Sequence, residues 1–258
     1  MMASPPSPDG LAPYAPDPSA PGYWTYAGLH ISSDPGTHKF AVKHAVEHIP
    51  KVASVLDIAT GEGALARQLL DAGYDRVSCT SWNDKCGLAV PIYKLNLDQP
   101  FSAAEVGGRQ YGLVCAIEII EHLENPAAFL RSCRSVVAPD GQMILSTPNV
   151  ESAQARLQWL VRGTPTMFDE MEITTNRHIS MLWGRGLEYL IASAGFTIVK
   201  REFVGHFEAT PSLRNIPKRF AYQLIHSLCS GDTFGSSRVY VLARRSTEPS
   251  PAGPENVY

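Results

Sequence analysis

The sequence predicts an α/β fold: a doubly wound, mainly parallel sheet with helices on both faces. Three observations lead there. Short apolar runs alternate with segments whose apolar residues recur at helical spacing, through most of the chain. One such run, VLDI, passes directly into a turn with two glycines and then into a helical pattern. Apolar residues make up 44% of the chain and charged residues 18%, the balance of a globular enzyme and too apolar for disorder throughout.

The elements follow in order. A helix over residues 38–48 precedes a first strand, SVLDI. The helix ALARQLLDAGY ends at Gly73, and RVSCT is the second strand. YKLNL is a short third strand and YGLVCAI the fourth. FLRSCRSVV is a helix stopped by PDG, and GQMILST is the fifth strand. A helical, more aromatic segment (ESAQARLQWLVRG), a polar loop and the helix WGRGLEYLIASAG come next, and FTIVKREF and SRVYVLARR close the sheet. The recurring order of strand, helix and strand implies right-handed crossovers.

A length of 258 residues allows one sizeable core or at most two small domains. One domain over 23–245 is expected, with an N-terminal lid and helix over 23–50, a core over 51–149, and acceptor-side insertions with C-terminal helices over 150–235. Residues 1–22 are rich in Pro, Ser and Ala and read as a disordered tail, as do residues 246–258. The net charge of −3 disfavours a protein built to coat nucleic acid or anionic membrane. No apolar run approaches the ~20 residues of a membrane span, and no signal-peptide pattern opens the chain. Five scattered cysteines without a CxxC pair argue against a disulfide framework or structural zinc, so a reducing cytoplasm is expected.

The sharpest segment is VLDIATGEGALA (residues 55–66). Its glycines, Gly61 and Gly63, allow close backbone approach to a ligand, and the following helix offers free N–H groups. Asp57 at the strand end can hold a cationic amino group, whereas dinucleotide-binding turns usually follow an uninterrupted apolar strand.

This stretch resembles motif I of class I S-adenosylmethionine-dependent methyltransferases, enzymes with a Rossmann-like core. The resemblance continues through YGLVCAIEIIEHLENPAAFLRSCRSVVAPDGQMILSTPN and RHISMLWGRGLEYLIASAGF. These segments look like the branch that holds the ubiquinone-biosynthesis and polysaccharide-modifying O-methyltransferases. The resemblance implies S-adenosylmethionine as cofactor and S-adenosylhomocysteine as product. It places Asp57, Ala59, Gly61 and Gly63 at the methionine end of the cofactor, with Ala116 approaching through backbone. The position that usually holds a ribose-binding acid falls near Ser81; either Asn83 or Asp84 takes that role instead, and Trp82 either packs on the adenine or is a partly buried aromatic. Adenine is expected against Asn96 and Leu97, with Lys94 where relatives often have Asp. The short connection before YKLNL leaves little room for the usual helix.

Glu118, Glu121 and His122 follow the fourth strand, at the sheet edge where open α/β folds bind ligands. A helix beginning at EIIEHL would set all three on one face. Relatives carry the same Glu-x-x-Glu-His with a later histidine at the position of His178. The resemblance implies a catalytic site whose divalent metal is held by Glu118, Glu121, His122 and His178. Two carboxylates and two imidazoles suit Mn, Fe, Co or Zn better than Mg. Two other readings stay open: His122 as a general base without metal, and acids that only solvate a helix start.

Outside the resemblance, GYWTYAGLHISSDPG reads as a lid in which Tyr23, Trp24 and Tyr26 either stack on substrate or pack on the domain. Arg162, Asp169 and Glu170 are candidate contacts in an acceptor wall. His206, Arg214, Lys218 and Arg219 mark a basic, amphipathic stretch that serves a phosphate, a membrane surface or a partner helix, or is simply a solvated face. The favoured function is O-methylation of a small-molecule or glycan hydroxyl, aided by a metal. The alternatives are an RNA terminal 2′-O-methyltransferase, an N-methyltransferase, and a nucleotide-binding module that has lost catalysis. Oligomeric state is not legible.

Overall fold

The computed structural model describes residues 11–20, 22–83, 85–205, 216–229 and 231–245. Asp84, His206 and Arg214, and the segments 1–10 and 246–258, lie outside the described residues.

The core is a seven-stranded sheet. Its strands are β4 (Val55–Ile58), β5 (Val77–Ser81), β6 (Ile92–Lys94), β7 (Tyr111–Ala116), β8 (Val137–Pro148), β9 (Phe196–Val204) and β10 (Ser237–Arg244). They lie in the order β6-β5-β4-β7-β8-β10-β9. β4 pairs in parallel with both β5 and β7, and β10 runs antiparallel between β8 and β9. β4 and β5 are buried at every position, which is why the sequence shows them as unbroken apolar runs rather than alternation.

Five helices flank this sheet in the middle of the chain: α1 (Pro35–His48), α2 (Ala64–Asp71), α3 (Pro126–Val136), α4 (Ala153–Arg162) and α5 (Gly184–Ser193). A sixth, α6 (Ile216–Leu228), lies against α4. Local signals set their starts. Asp34 accepts the N–H of Gly36 ahead of Pro35, Asn125 accepts that of Ala128 ahead of Pro126, and Ser152 accepts that of Ala155. Two buried clusters fill the sheet faces, one around Leu56, Phe129, Leu145 and Tyr240, the other around Val55, Leu69, Cys79 and Ile144. The chain order reverses direction between β4 and β7, so the crevice at their carboxyl ends is the switch point of the sheet.

Four expectations are corrected. Residues 11–20 are not a loose tail: β1 (Tyr14–Pro16) pairs with β2 (Trp24–Tyr26), which pairs with β3 (Leu29–Ile31) in a second, three-stranded sheet. Tyr26 anchors it, fully buried, with its hydroxyl on Asp71 of α2. The PDG triplet does not separate helix from strand. β8 starts directly after α3, and its pairing with β7 jumps from Val137 opposite Tyr111 to Gln142 opposite Leu113, so Pro139, Asp140 and Gly141 form a bulge inside the strand. The third strand is shorter and earlier than YKLNL, which frees residues 95–97 to turn over the sheet edge. EIIEHL does not start an α-helix: Glu118 has a left-handed backbone (φ 48°), and Ile120–His122 forms a single 3-10 turn. The connection from β5 to β6 has no helix among its described residues, as its length implied.

Among the described residues, no helix is long and apolar enough to cross a membrane, and all five cysteines are free.

Candidate active site

The switch point opens into two adjoining cavities. The first, about 310 Å³, is lined by Asp57, Thr60, Gly61, Glu118, Glu121, His122 and His178, and also by Tyr23, His30 and His38. The second, about 760 Å³, is lined by Ser81, Trp82, Asn83, Asn96 and Leu97, among others. Ala59, His122 and Asn176 border both.

Two glycines shape the loop between β4 and α2. Gly61 has φ +57°, and a Cβ there would meet nothing within 4 Å, so its surface stays open to the cavity. Gly63 caps α2 at φ +96°, and a Cβ there would stand 2.7 Å from Leu88 Cδ1. Gly63 is thus fixed by packing, whereas Gly61 leaves room for a ligand. Ala59 also takes a left-handed conformation, held where its N–H donates to Thr80 Oγ1 at 3.0 Å. Asp57 is buried beneath the loop and accepts hydrogen bonds from Thr60 Oγ1 and from the N–H of Ala66. Burial outweighs both and pushes its carboxyl up to about 7.

Expected cofactor residues divide as follows. Asp57, Ala59 and Gly61 line the first cavity, and Ala59, Ser81, Asn83, Asn96 and Leu97 the second. Gly63 supports the loop from behind, and Ala116 is buried at the end of β7 beside the lining residue Ile117. Ser81 turns its hydroxyl onto the carbonyl of Asn83. Trp82 is 73% exposed on the rim, which excludes its reading as a partly buried packing residue.

The acidic and imidazole groups come together only in part. One oxygen of Glu121 and one nitrogen each of His122 and His178 lie within 4.8 Å of one another. Glu118 lines the same cavity but stands outside that group. Ser146 Oγ accepts the Glu118 N–H at 3.0 Å and donates to its carboxylate at 2.8 Å, which draws the side chain towards β8. That contact and the left-handed backbone explain why Glu118, Glu121 and His122 do not share a helical face. Glu121 is fully buried; Thr147 Oγ1 donates to its Oε2 at 3.1 Å, and its Oε1 has no partner among the described residues. Burial and the neighbouring Glu118 carboxylate hold its pKa well above the usual range, and burial raises Glu118 to about 7.

Both rings are oriented by main chain. His122 Nδ1 lies 2.6 Å from the carbonyl oxygen of Asn176, and His178 Nδ1 lies 2.7 Å from that of Met167. A carbonyl can only accept, so each Nδ1 donates to its carbonyl. Burial, then the nearby His178, lowers the pKa of His122, against the opposing contacts with the main chain of Asn176 and Glu118. The segment expected as an acceptor wall thus supplies the carbonyls that set both rings. Asp169 instead accepts the N–H of Glu172, and Arg162 borders a separate groove with Tyr222. Backbone carbonyls leave no residue-type signal, which is why this role was not legible.

The lid also contributes more than its aromatics. Tyr26 packs inside, Trp24 is exposed, and Tyr23 lines the cavity beside His30. The His30 N–H donates to Glu62, the residue between the two loop glycines, at 2.8 Å. Gln68 accepts from the Tyr14 hydroxyl and donates to His38 Nδ1, so the buried His38 is a neutral ring whose Nε2 carries the proton. Burial depresses its pKa to about 4. Lone histidines in an aromatic segment carried no distinguishing spacing.

The fold and the glycine loop at its switch point define a methyltransferase of the S-adenosylmethionine-dependent class. Residues 36–201 match the methyltransferase-domain family model, and the chain belongs to that family. Ubiquinone biosynthesis O-methyltransferase of Cereibacter sphaeroides is 27% identical over 129 residues, covering 43% of this chain and 51% of that protein. The enzyme of the same name from Azorhizobium caulinodans is 31% identical over 129 residues, covering 43% of this chain and 49% of that protein. The match thus spans about half the length of these curated relatives. Among solved structures, magnesium protoporphyrin IX methyltransferase from Synechocystis, with bound S-adenosylhomocysteine, superposes with a TM-score of 0.53 at 17% identity, over 81% of this chain and 82% of that one. A SAM-dependent methyltransferase from Archaeoglobus fulgidus gives 0.50 at 15% identity, over 80% and 93%. At such identities these likenesses establish fold.

Proposed function

We propose that this protein transfers the methyl group of S-adenosylmethionine to a hydroxyl oxygen of a small molecule or glycan, with a divalent cation held by Glu121, His122 and His178. One observation carries the reading: the unpartnered buried Glu121 Oε1 lies beside two imidazoles whose Nδ1 atoms are committed to carbonyls. An unpaired carboxylate oxygen is costly in a buried site, and two oriented Nε2 atoms complete a donor set that fits Mn, Fe, Co or Zn. A cation there supplies Lewis acidity and a point of chelation to a neighbouring hydroxyl.

The chain's own residues account for the remainder. Asp57 and the Gly61 loop hold the amino-acid end of the cofactor, and Ser81, Asn83, Asn96 and Leu97 receive its nucleoside end. Tyr23, His38 and Met167 enclose the first cavity and exclude water from the sulfonium. Displacement at a sulfonium methyl needs an in-line nucleophile, so alignment within the cavity supplies much of the rate.

The test is transfer of labelled methyl from S-adenosylmethionine to 3,4-dihydroxybenzoate and to a vicinal-diol sugar. Activity should require Mn²⁺ or a similar ion, vanish with chelator, and be lost in Glu121→Gln. Full activity in chelator would overturn the metal assignment, and transfer to amines alone would overturn the hydroxyl assignment.

A further inference from the structure

The lining that includes Glu121 carries a second arrangement with catalytic character. His30, on β3, lines the first cavity, and its Nδ1 lies 2.6 Å from Oδ2 of Asp17. Asp17 is buried, 7% exposed, in the connection between β1 and β2, where the Ser19 hydroxyl and N–H both donate to its other oxygen. These contacts and the one with His30 hold its carboxyl down, at about 2, so it is an anion and only accepts. Nδ1 of His30 therefore donates to Asp17, and Nε2 has no partner among the described residues. The His30 side chain is 26% exposed, the Tyr23 ring stands 5.1 Å from its own, and its N–H is tied to Glu62 in the glycine loop. The ring is thus held at Nδ1 by a buried carboxylate, and the His30 backbone by the loop proposed to carry the cofactor.

We infer that His30 is the catalytic residue that takes the acceptor's proton, with Asp17 as its positioning residue. The inference rests on the hydroxyl reading of the same cavity. As the acceptor oxygen forms its bond to the methyl carbon, the carbon–sulfur pair returns to sulfur and neutralises the sulfonium. The hydroxyl proton passes to His30 Nε2, and the imidazolium formed is paired with the Asp17 carboxylate. The products are the methyl ether, S-adenosylhomocysteine and a protonated His30, which returns its proton to solvent. General bases of this kind contribute roughly 10²- to 10⁴-fold to rate. The neighbouring ionisable groups are Asp17 and Tyr23 on the lid side and Glu62 in the glycine loop, with His38, Asp57, Glu118, Glu121, His122 and His178 around the cavity.

The test compares wild type, His30→Ala and Asp17→Asn with 3,4-dihydroxybenzoate and Mn²⁺, using S-adenosylhomocysteine affinity as the check on folding. His30→Ala should lose on the order of 10²-fold or more in kcat, with KM and S-adenosylhomocysteine affinity within about twofold. Added imidazole should restore part of that rate, which a structural role would not allow. Asp17→Asn should lose on the order of tenfold or more, and ¹⁵N spectra of the S-adenosylhomocysteine complex should show His30 moving off the Nδ1–H tautomer. Near-normal kcat in His30→Ala overturns the inference while leaving the hydroxyl reading intact. Loss of rate without imidazole rescue also overturns it. A wild type that binds S-adenosylhomocysteine but methylates neither the catechol nor a vicinal-diol sugar overturns both.

Discussion

The rings of His122 and His178 meet edge to face, their centroids 4.6 Å apart, although 56 positions separate them in the chain. Neither ring chooses this orientation alone. Asn176 and Met167 hold the Nδ1 atoms, and both carbonyls belong to the irregular segment between α4 and α5. That segment includes a five-residue π-helix, Glu172–Asn176, and two left-handed residues, Met167 and Arg177. Such strain persists where surrounding contacts over-determine the backbone, and here it serves two ring orientations.

The first prediction concerns the support of Glu121. Thr147→Val removes the hydroxyl that donates to Oε2 and leaves the acid itself in place. Mn²⁺ affinity should fall about 10- to 100-fold, the usual cost of losing a group that orients a metal ligand, while cofactor affinity stays unchanged. Calorimetry with each ligand in turn checks both halves.

The two loop glycines should fail in different ways. Gly63→Ala drives a Cβ into Leu88 and Cys86 at a left-handed position, so melting temperature should drop by the equivalent of roughly 1–3 kcal/mol. Gly61→Ala meets open space, and its stability cost should be about 1 kcal/mol. Its methyl, however, enters the cavity, so S-adenosylhomocysteine affinity should fall at least about tenfold. Equal cofactor loss in both variants, explained by unfolding alone, would contradict this division.

Asp57 makes a pH prediction. Burial raises its pKa from 3.8 to about 7 in the ligand-free fold, so between those values the folded state binds more protons than the unfolded state. The contribution of this group to stability is therefore full below about pH 4 and is lost as pH rises towards 7. Asp57→Asn removes that loss. Without ligand the variant should match wild type near pH 4 and exceed it at pH 7.5, by as much as about 4 kcal/mol. The variant should also bind S-adenosylhomocysteine poorly. A variant less stable than wild type at pH 7.5 would show that the carboxylate is already paired.

How far the sequence carries this account differs by element. The sheet was legible because buried parallel strands such as VLDI and YGLVCA are continuous apolar runs, whereas helix starts were read late: α1 begins at Pro35 after the Asp34 cap and α3 at Pro126 after the Asn125 cap. Asp57, Gly61, Glu121, His122 and His178 could be named because motif spacing locates them. The first turn after β7 could not be read, since the contact that prevents a helix at Glu118 comes from Ser146, 28 residues away. The lid segment was legible, but its three-stranded sheet was not: Tyr14 sits in a Pro-rich, aperiodic stretch, and the contacts that seat Tyr14 and Tyr26 come from Gln68 and Asp71 of α2. Asp17 and His30 have no motif; only the pairing of β1 to β2 and β2 to β3 brings them together.

The most direct measurement is calorimetric titration of Mn²⁺ into the chelator-treated, S-adenosylhomocysteine-loaded protein, for wild type and for Glu121→Gln. The account predicts one Mn²⁺ per chain in wild type, and its loss in the variant with S-adenosylhomocysteine affinity preserved. Absence of Mn²⁺ binding in wild type, or binding that survives Glu121→Gln, would contradict it.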